Sequence, residues 1–292
     1  MQLGRVAPSF RHVPPGKHNP QADHAVDIAA IAGLHLYEWQ AAVLQDAMAL
    51  TSENRWAAHE VGLVVGRQNG KGSILEARQI WGLVTGERLQ VHSAHQFKTA
   101  YEHFRRVKDL IEGCDLLADQ IEIIRTGAGD QSIELRNGAR LRFVARKGGS
   151  GRGFSADTVY LDEAFELSDE TVGALLPTIM ARPNAQVWYV SSAPHATSDA
   201  LHRVRERGLK ADDPRLLYLE WGNGADADPL DPVAWSIANP SMGLRIDPDK
   251  IAAAQRSESP AMFAREHLGV PEMPDAGFTA PIPLARWAEL ID

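Results

Sequence analysis

The chain has 292 residues, of which 44% are hydrophobic and 23% are charged, and its formal net charge at pH 7 is −8. This composition is typical of a soluble globular protein and excludes disorder, collagen and coiled coil. The length fits one large α/β domain, or one domain with a small appendage. The acidic total argues against a protein that coats nucleic acid non-specifically.

The sequence carries no sign of membrane insertion, export or disulfide bonding. It lacks a run of about 18 apolar residues, and its N-terminus has no basic-then-apolar signal pattern. Cys114 is the single cysteine, which excludes a disulfide framework and a Cys-rich zinc site. We therefore expect a protein of a reducing compartment with no membrane partner.

The predicted elements begin with an extended arm or covering segment over residues 1–33, which are rich in Pro, His and Ala. Apolar spacing predicts helices over 34–50, 70–81, 96–111, 169–180 and 198–209. Short apolar runs predict strands over 61–65, 89–94, 121–124, 132–135, 140–145, 158–161, 186–192 and 216–219. Asn137-Gly138 predicts a hairpin turn between the strands 132–135 and 140–145.

Strand–helix alternation of this kind requires crossover connections and therefore a mostly parallel sheet covered on both faces. After residue 222 the pattern changes to a loop over 223–231 and short helices near 232–237, 248–257 and 260–268. The tail from 271 is rich in proline and is interpreted as a linker. We predict a core over 34–222 and a small helical C-terminal subdomain over 223–292.

The strongest motif is an apolar strand that turns through Gly66-Arg-Gln-Asn-Gly-Lys71 into a helix. Backbone N–H groups at a helix N-terminus, with a lysine after the last glycine, bind phosphate. Three residues separate Gly66 from Gly70 where the usual spacing is four, and Gly72 stands where Ser or Thr normally binds magnesium. Ser73 follows one place later. The alternative interpretation is a surface turn with a solvated lysine.

A second apolar strand ends in adjacent carboxylates, Asp162 and Glu163, about ninety residues further on. In a P-loop ATPase the first acid holds magnesium and the second orients the attacking water. The alternative is an acid pair at the positive end of a helix dipole. A third strand ends in Ser191-Ser192-Ala193, which can sense the γ-phosphate if it lies beside the Asp162 strand, or can be ordinary turn chemistry.

Six basic residues and no acid lie between positions 135 and 156. They are Arg136, Arg140, Arg142, Arg146, Lys147 and Arg152. Such a cluster beside a nucleotide site can contact nucleic-acid phosphates, insert an arginine into a neighbouring ATP site, or form a solvated hairpin face. A local basic cluster also makes the acidic total compatible with a reversible grip on DNA.

Together these motifs resemble the large terminase subunit of tailed double-stranded-DNA bacteriophages, the ATPase of the genome-packaging motor. The resemblance extends from about residue 34 to the end of the chain. It rests, in order, on Leu36-Tyr-Glu-Trp-Gln40, Gly66-Arg-Gln-Asn-Gly-Lys71, Gly151-Arg-Gly-Phe154, Tyr160-Leu-Asp-Glu-Ala164 and Val190-Ser-Ser-Ala-Pro194. It implies a P-loop NTPase of the additional-strand, catalytic-glutamate type, with ATP and Mg²⁺ as cofactors.

The resemblance also implies roles for individual residues. The expected ATP-binding residues are Trp39, Gln40, Arg67, Gln68, Asn69, Gly70, Lys71, Gly72 and Ser73, with Trp39 and Gln40 at the adenine. Asp162 and Ser73 are the expected magnesium ligands. Lys71, Glu163 and a trans-acting Arg152 are the expected catalytic residues. Ser191, Ser192 and Ala193 are the expected coupling motif, and the DNA-binding candidates are Arg136, Arg140, Arg142, Arg146 and Lys147.

The family further implies double-stranded DNA, a portal protein and a small terminase subunit as partners, in the cytoplasm of the infected bacterial host. We expect a ring of identical subunits on assembly and a monomeric, weak ATPase in isolation. Family members usually carry a nuclease domain, and none is expected within this chain. Two alternatives remain: a helicase-like translocase, disfavoured by the short region after residue 222, and a non-catalytic nucleotide-binding module, disfavoured by Glu163.

Overall fold

Nine β-strands form one sheet in the computed structural model, which describes residues 2–146, 155–180 and 182–274. The strands are β1 (Phe10–His12), β2 (Glu60–Val64), β3 (Leu89–Ala94), β4 (Ile121–Arg125), β5 (Ser132–Leu135), β6 (Arg140–Ala145), β7 (Thr158–Asp162), β8 (Gln186–Ser191) and β9 (Leu216–Glu220). Their order across the sheet is β1-β9-β2-β8-β7-β3-β6-β5-β4.

The six central strands, from β9 to β6, pair in parallel, whereas β1 and the β4–β5 pair add antiparallel strands at the two sides. The predicted mostly parallel sheet is confirmed. Strand β8 lies between β2 and β7, so the strands that lead into the predicted phosphate loop and the predicted acid pair are separated by one strand. We call the side of the sheet where β2, β7 and β8 end the carboxyl edge, and the opposite side the amino edge.

Ten α-helices occur in the described residues. They are α1 (Pro20–Ile31), α2 (Glu38–Ala47), α3 (Lys71–Thr85), α4 (Phe97–Glu112), α5 (Asp115–Ala118), α6 (Asp169–Met180), α7 (Asp199–Lys210), α8 (Pro232–Ala238), α9 (Pro248–Ser257) and α10 (Pro260–Leu268). None of the described helices is long and apolar enough to cross a membrane.

Helices cover both faces of the sheet because successive strand residues point to opposite sides. Tyr160 packs in the cluster beneath α1 to α5, whereas its neighbours Val159 and Leu161 pack in the cluster beneath α6 and α7. This arrangement explains why the central strands read as nearly continuous apolar runs rather than as alternating ones.

Helix α1 corrects the expectation of an extended arm over residues 1–33. Asn19 caps it by accepting a hydrogen bond from the Gln21 N–H (3.1 Å), and Pro20 occupies its first position. Its buried side is mostly alanine, so its apolar periodicity is weak, although Ala22, Ala25, Ile28 and Ala29 are buried. Residues 10–12 of the same segment form strand β1, which pairs with β9.

Two predicted helices differ from the observed ones by several residues. Helix α2 begins at Glu38 rather than at 34 because the Gln40 side chain accepts a hydrogen bond from the Tyr37 N–H (2.8 Å) and so fixes the first turn. Helix α3 continues beyond 81 to Thr85 and ends at Gly86, which has a left-handed φ of +89°. The predicted 132–145 hairpin is confirmed, with Gly138 at φ +83°.

The predicted helices after residue 222 are also confirmed. Helices α8, α9 and α10 share a small apolar core of their own, which includes Trp235, Met242, Ile251 and Phe263. They stay next to the central sheet because the chain at Gly222 touches the chain at Gly269. A Cβ added to Gly222 would lie 2.4 Å from the Gly269 carbonyl oxygen. We refer to residues 223–274 as the C-terminal helical segment.

Candidate active site

The loop over residues 66–70 connects β2 to α3 at the carboxyl edge. Gln68 and Gly70 adopt left-handed backbone conformations (φ +63° and +91°), and Gly70 is the N-cap of α3. The backbone conformation of Gly70 favours glycine, and a Cβ there would lie 2.9 Å from the Gln40 amide nitrogen and displace that side chain. The loop therefore delivers the chain to the N-terminus of a 15-residue helix, where free N–H groups and the helix dipole favour an anion.

Asn69 fixes this loop to the C-terminal helical segment. Its buried amide group donates to the Gly66 carbonyl (3.1 Å) and to Asn239 Oδ1 (3.0 Å), and accepts from the Ser241 N–H (3.1 Å). The Ser241 hydroxyl in turn donates to the Asn69 carbonyl oxygen (2.8 Å). The Asn69 side chain, expected at ATP, is thus engaged within the protein, and it holds the shape of the loop.

Trp39 and Gln40 support the loop from behind. Trp39 is 1% exposed, packs edge-on against Trp221 (5.2 Å between ring centroids) and donates to the Ser241 hydroxyl (3.0 Å). The Trp39 ring is enclosed by the protein, and its expected place at the adenine stays a prediction. Gln40 is also buried, and its amide donates to the Gly70 carbonyl (2.8 Å), so it positions the loop; its expected place at the adenine stays a prediction.

Two cations, Arg67 of the loop and Lys71 of α3, lie near carboxylates. The Arg67 guanidinium lies 3.0 Å from Glu266 Oε2 and 5.9 Å from the Phe165 ring centroid, while half of the side chain is exposed. Burial lowers the pKa of Lys71, and the nearby charge of Arg67 lowers it further, whereas Asp162, Glu266 and Glu163 raise it. Lys71 thus lies at the first position of α3 in the field of these acids, where the Lys71 ammonium can bind an incoming phosphate.

The acid pair occupies the end of β7. Asp162 Oδ1 accepts a hydrogen bond from the Glu163 N–H (2.9 Å), and Glu163 has the left-handed φ of +53°. One carboxylate oxygen of Glu163, Oε1, accepts from the Thr99 hydroxyl (3.3 Å). The other, Oε2, is buried and has no hydrogen-bond partner among the described residues. A strained backbone and an unsatisfied buried acceptor together are typical of functional positions rather than structural ones.

Arg146 fixes the backbone of this acid pair. Its guanidinium donates to the carbonyl oxygens of Asp162 (2.7 Å), Glu163 (2.9 Å) and Ser93 (2.9 Å), which joins the ends of β7 and β3. Burial lowers the pKa of Arg146 to about 10, although the acids oppose this shift, so the side chain stays charged at neutral pH. Arg146 was expected to contact DNA, and the structure instead uses its side chain to hold the site together.

The Ser191 motif lies between the loop and the acids. The Ser191 hydroxyl accepts from the Phe165 N–H (3.1 Å), just after the acid pair, and the Ser191 carbonyl accepts from the Val65 N–H (3.0 Å), just before the loop. Ser192 and Ala193 are buried next to it. The expected position of this motif beside the Asp162 strand is confirmed by the parallel pairing of β8 with β7. Ser191 therefore contacts the backbone on both sides of the site.

The structure separates the basic residues that the sequence groups together. Arg136 and Arg140 lie at the amino edge, where the adjoining Asn137 donates to the Leu83 carbonyl at the end of α3 (2.8 Å). Arg142 lies in the middle of β6, with Asp130 at 3.6 Å. Lys147 and Arg152 lie outside the described residues. Arg136, Arg140 and Arg142 therefore do not form one surface with the phosphate loop.

The residues at this edge suit a magnesium ion that is bound together with a nucleotide. Magnesium is typically held by one or two carboxylates plus phosphate oxygens, and Asp162 provides such a carboxylate beside Lys71. In the described part of the chain no group of three or more His, Cys, Asp or Glu side chains could hold a metal by itself. Ser73 is buried in the first turn of α3, and its role as a ligand stays a prediction.

Sequence reasoning missed several contributors to the site. Thr99, Asn239, Ser241 and the clamping role of Arg146 come from distant segments, and only the folded chain brings them to the carboxyl edge. Asn239 stands at the end of α8 and Ser241 two residues later, where a short polar stretch interrupts an apolar helix pattern. That stretch was the one available signal, and it is also typical of an ordinary helix end.

The fold is of the P-loop NTPase type, with strand β8 inserted between the loop strand and the acid strand. No known family profile matches the sequence, and no curated protein matches it significantly. Solved structures do match the fold. The large terminase of bacteriophage HK97 aligns with a TM-score of 0.73 at 17% identity, over 86% of this chain and 55% of that one.

Other large terminases also align. The ATPase domain from Thermus phage P74-26 does so with a TM-score of 0.60 at 14% identity, over 82% of this chain and 96% of that domain. The large terminase of another thermophilic bacteriophage, in complex with ADP, gives a TM-score of 0.51 at 12% identity, over 73% of this chain and 48% of that one. The chain spans about half the length of the HK97 terminase and of the ADP-bound terminase. Its fold is that of a large terminase ATPase domain, which confirms the predicted resemblance and fold class.

Proposed function

We propose that the chain is the ATP-hydrolysing motor domain of a viral terminase large subunit, which drives double-stranded DNA into a procapsid. One observation carries the proposal. The phosphate loop with Lys71, the acid pair of Asp162 and Glu163, and the Ser191 strand end between them meet at one edge of a parallel sheet. Open α/β folds bind their ligands at this edge. A thermophilic bacteriophage terminase in complex with ADP and with ATP-γ-S adds support from the same fold.

In the proposed mechanism, the N–H groups of α3 and the Lys71 ammonium bind the phosphates of ATP. Asp162, with Ser73 as the second candidate, would hold Mg²⁺, whose charge offsets that of the phosphates. Glu163 accepts a hydrogen bond from the attacking water through Oε2, which has no partner in the described residues, and orients that water towards the γ-phosphate. Arg146 keeps Glu163 in its left-handed conformation throughout, so the carboxylate needs no rearrangement before the reaction.

Ser191 would couple hydrolysis to motion, because it touches the backbone on both sides of the site. Arg152 of one subunit would complete the ATP site of the next in a ring of identical subunits, and Arg136, Arg140 and Arg142 would contact DNA. A portal protein and a small terminase subunit are the partners that the family resemblance adds, in the cytoplasm of an infected bacterium. ATP turnover that rises both with added double-stranded DNA and with protein concentration would support this part of the proposal.

The direct test is Mg-ATP turnover by Glu163→Gln, which keeps the size and polarity of the side chain but removes the charge that orients water. We expect turnover to fall by about a hundredfold or more, the range measured for general-base groups, with ATP affinity retained. Glu166→Gln is the matched control, because Glu166 is an exposed acid three residues away. Turnover by Glu163→Gln equal to that of the control would contradict the proposal.

A further inference from the structure

Gly72 gives the second residue of α3 no side chain, and another residue fills the space beside it. A Cβ built on Gly72 would lie 3.5 Å from both terminal nitrogens of Arg106, a residue of α4. Phosphate loops usually carry Ser or Thr at this position, next to the lysine. The Arg106 guanidinium thus stands beside the first turn of α3, immediately after Lys71.

A buried carboxylate holds Arg106 there. Arg106 Nη2 lies 2.5 Å from Glu76 Oε1, and the Glu76 side chain is only 2% exposed. Burial raises the pKa of the Glu76 carboxyl, whereas Arg106 and then Arg245 oppose the shift. A buried acid one turn along the phosphate-binding helix repels an incoming phosphate unless a cation neutralises it. The ion pair with Glu76 therefore neutralises the buried acid and holds the Arg106 guanidinium in place.

Arg106 also remains accessible. Half of its side chain is exposed, and a guanidinium has five N–H donors, of which an ion pair with one carboxylate oxygen uses few. The neighbouring Arg105 is equally exposed but lies 3.6 Å from Glu102 on its own helix, an ordinary surface pair. The two arginines are similarly exposed but lie at different positions, and of the two only Arg106 is held against helix α3.

We propose that Arg106 is a phosphate-binding residue of this same site, in cis, and that its guanidinium contacts the polyphosphate of a nucleoside triphosphate at the position that Gly72 leaves without a side chain. The inference rests on the proposed function, since it requires that ATP occupies the loop. The ligand chemistry is a nucleoside di- or triphosphate, because contact with the guanidinium needs a phosphate chain rather than a base or sugar.

The test is equilibrium binding of ATP and of adenosine to the purified chain, with Mg²⁺ and with EDTA. Arg106→Gln should weaken ATP binding by about tenfold in both buffers, the value of one charge-assisted hydrogen bond. Arg105→Gln, the matched control, should change it less than about twofold. Adenosine binding should be the same in both variants. ATP binding by Arg106→Gln within twofold of the control would overturn the inference.

A second variant distinguishes phosphate contact from a purely structural role. Arg106→Gln leaves the buried Glu76 carboxylate unpaired, so the double variant Glu76→Gln/Arg106→Gln removes both charges and keeps the packing. We expect the double variant to bind ATP more tightly than Arg106→Gln, because the repulsion by Glu76 is gone, but several-fold more weakly than the wild type, because the guanidinium is missing. Wild-type affinity in the double variant would overturn the inference, because the loss would then come from Glu76. Failure of the wild-type chain to bind ATP at all would instead overturn the proposed function.

Discussion

Strand β7 has buried polar groups at both ends, and the two ends differ in how these groups are hydrogen-bonded and paired. At the amino edge Arg78 donates to Glu87 (2.6 Å) and to the Thr158 hydroxyl (3.2 Å), and Thr158 donates back to Glu87 (3.1 Å). The Arg78 nitrogens Nε and Nη1 have no hydrogen-bond partner in the described residues, but the guanidinium lies over the rings of Trp56 and Trp81, which attract a cation. We call this network closed, because its two charges, Arg78 and Glu87, are paired with each other within the protein.

At the carboxyl edge the same strand ends with Asp162 and Glu163, and the bonding is incomplete. Glu163 has a strained backbone and a buried oxygen without a partner in the described residues, and burial lowers the pKa of the facing Lys71. Since buried polar groups are normally satisfied, an open network needs a ligand to complete it. We infer that the amino end of β7 stabilises the fold and that its carboxyl end binds a ligand.

The largest expected effect is on stability, at the closed end. Arg78→Met leaves Glu87 as a partly buried, unpaired charge, so the free energy of unfolding should fall by about 3–5 kcal/mol. Chemical denaturation measures this loss, and Arg78→Met/Glu87→Gln should recover part of it. Turnover per folded molecule should stay unchanged, and a selective loss of turnover in a stable Arg78→Met protein would break the comparison.

The next largest expected effect is a pH dependence of folding stability. It comes from His92 of β3 and His103 of α4, which lie between the two ends. Their rings stack at 3.9 Å, and Gln79 bonds to both. Burial lowers the pKa of His92 to about 4 and that of His103 well below its usual value. Both rings are therefore neutral in the folded chain, while the unfolded chain binds protons near pH 6.5. Stability should be unaffected by these groups above that pH and fall below it.

For His92 alone the loss should reach about 3 kcal/mol as the pH falls to about 4, at roughly 1.4 kcal/mol per unit. Denaturant unfolding at a series of pH values measures it. His103→Phe removes one of the titrating rings, so its stability should depend less on pH across this window than that of the wild type. An identical dependence in both proteins would contradict the assignment to these histidines.

At the open end, Arg146→Met removes the clamp on the Asp162 and Glu163 carbonyls. Without those bonds Glu163 can leave its left-handed conformation, so turnover should fall by about ten- to a hundredfold, or roughly 1.4–2.7 kcal/mol in barrier, with little change in ATP affinity. Arg182→Met is the control, because Arg182 also donates to a carbonyl, that of Ser155 at 3.2 Å, but at the amino edge. Equal turnover in the two variants would refute the clamping role.

The smallest effect concerns the attachment of the loop. Ser241→Ala removes the hydroxyl that donates to the Asn69 carbonyl (2.8 Å) and accepts from Trp39 (3.0 Å). Stability should fall by about 1–2 kcal/mol, and the KM for ATP should rise a few fold because the loop is less well held. Steady-state kinetics and thermal unfolding check both. Ser257→Ala is a control at an exposed serine of the same segment, and an equal rise in KM there would contradict a specific role for Ser241.

Sequence patterns predicted the elements whose signals are local. The hairpin followed from Asn137-Gly138, and the acid strand followed from an apolar run ending in two carboxylates. Helix α1 was missed because alanine carries little hydrophobic signal, although Asn19-Pro20 marks its start. The clamp by Arg146 was unpredictable for another reason. Six basic residues close in sequence look alike, and only the β6–β3 pairing brings Arg146 to the acids.

The central claim is that the carboxyl end of β7 hydrolyses ATP with Glu163 as the group that orients water. The most direct measurement is the chemical identity of the nucleotide bound to Glu163→Gln after incubation with Mg-ATP for many wild-type turnover times. The account predicts that the variant binds ATP and still holds it as ATP, because binding depends on the Lys71 loop and cleavage on Glu163. Bound or released ADP formed at the wild-type rate would contradict it.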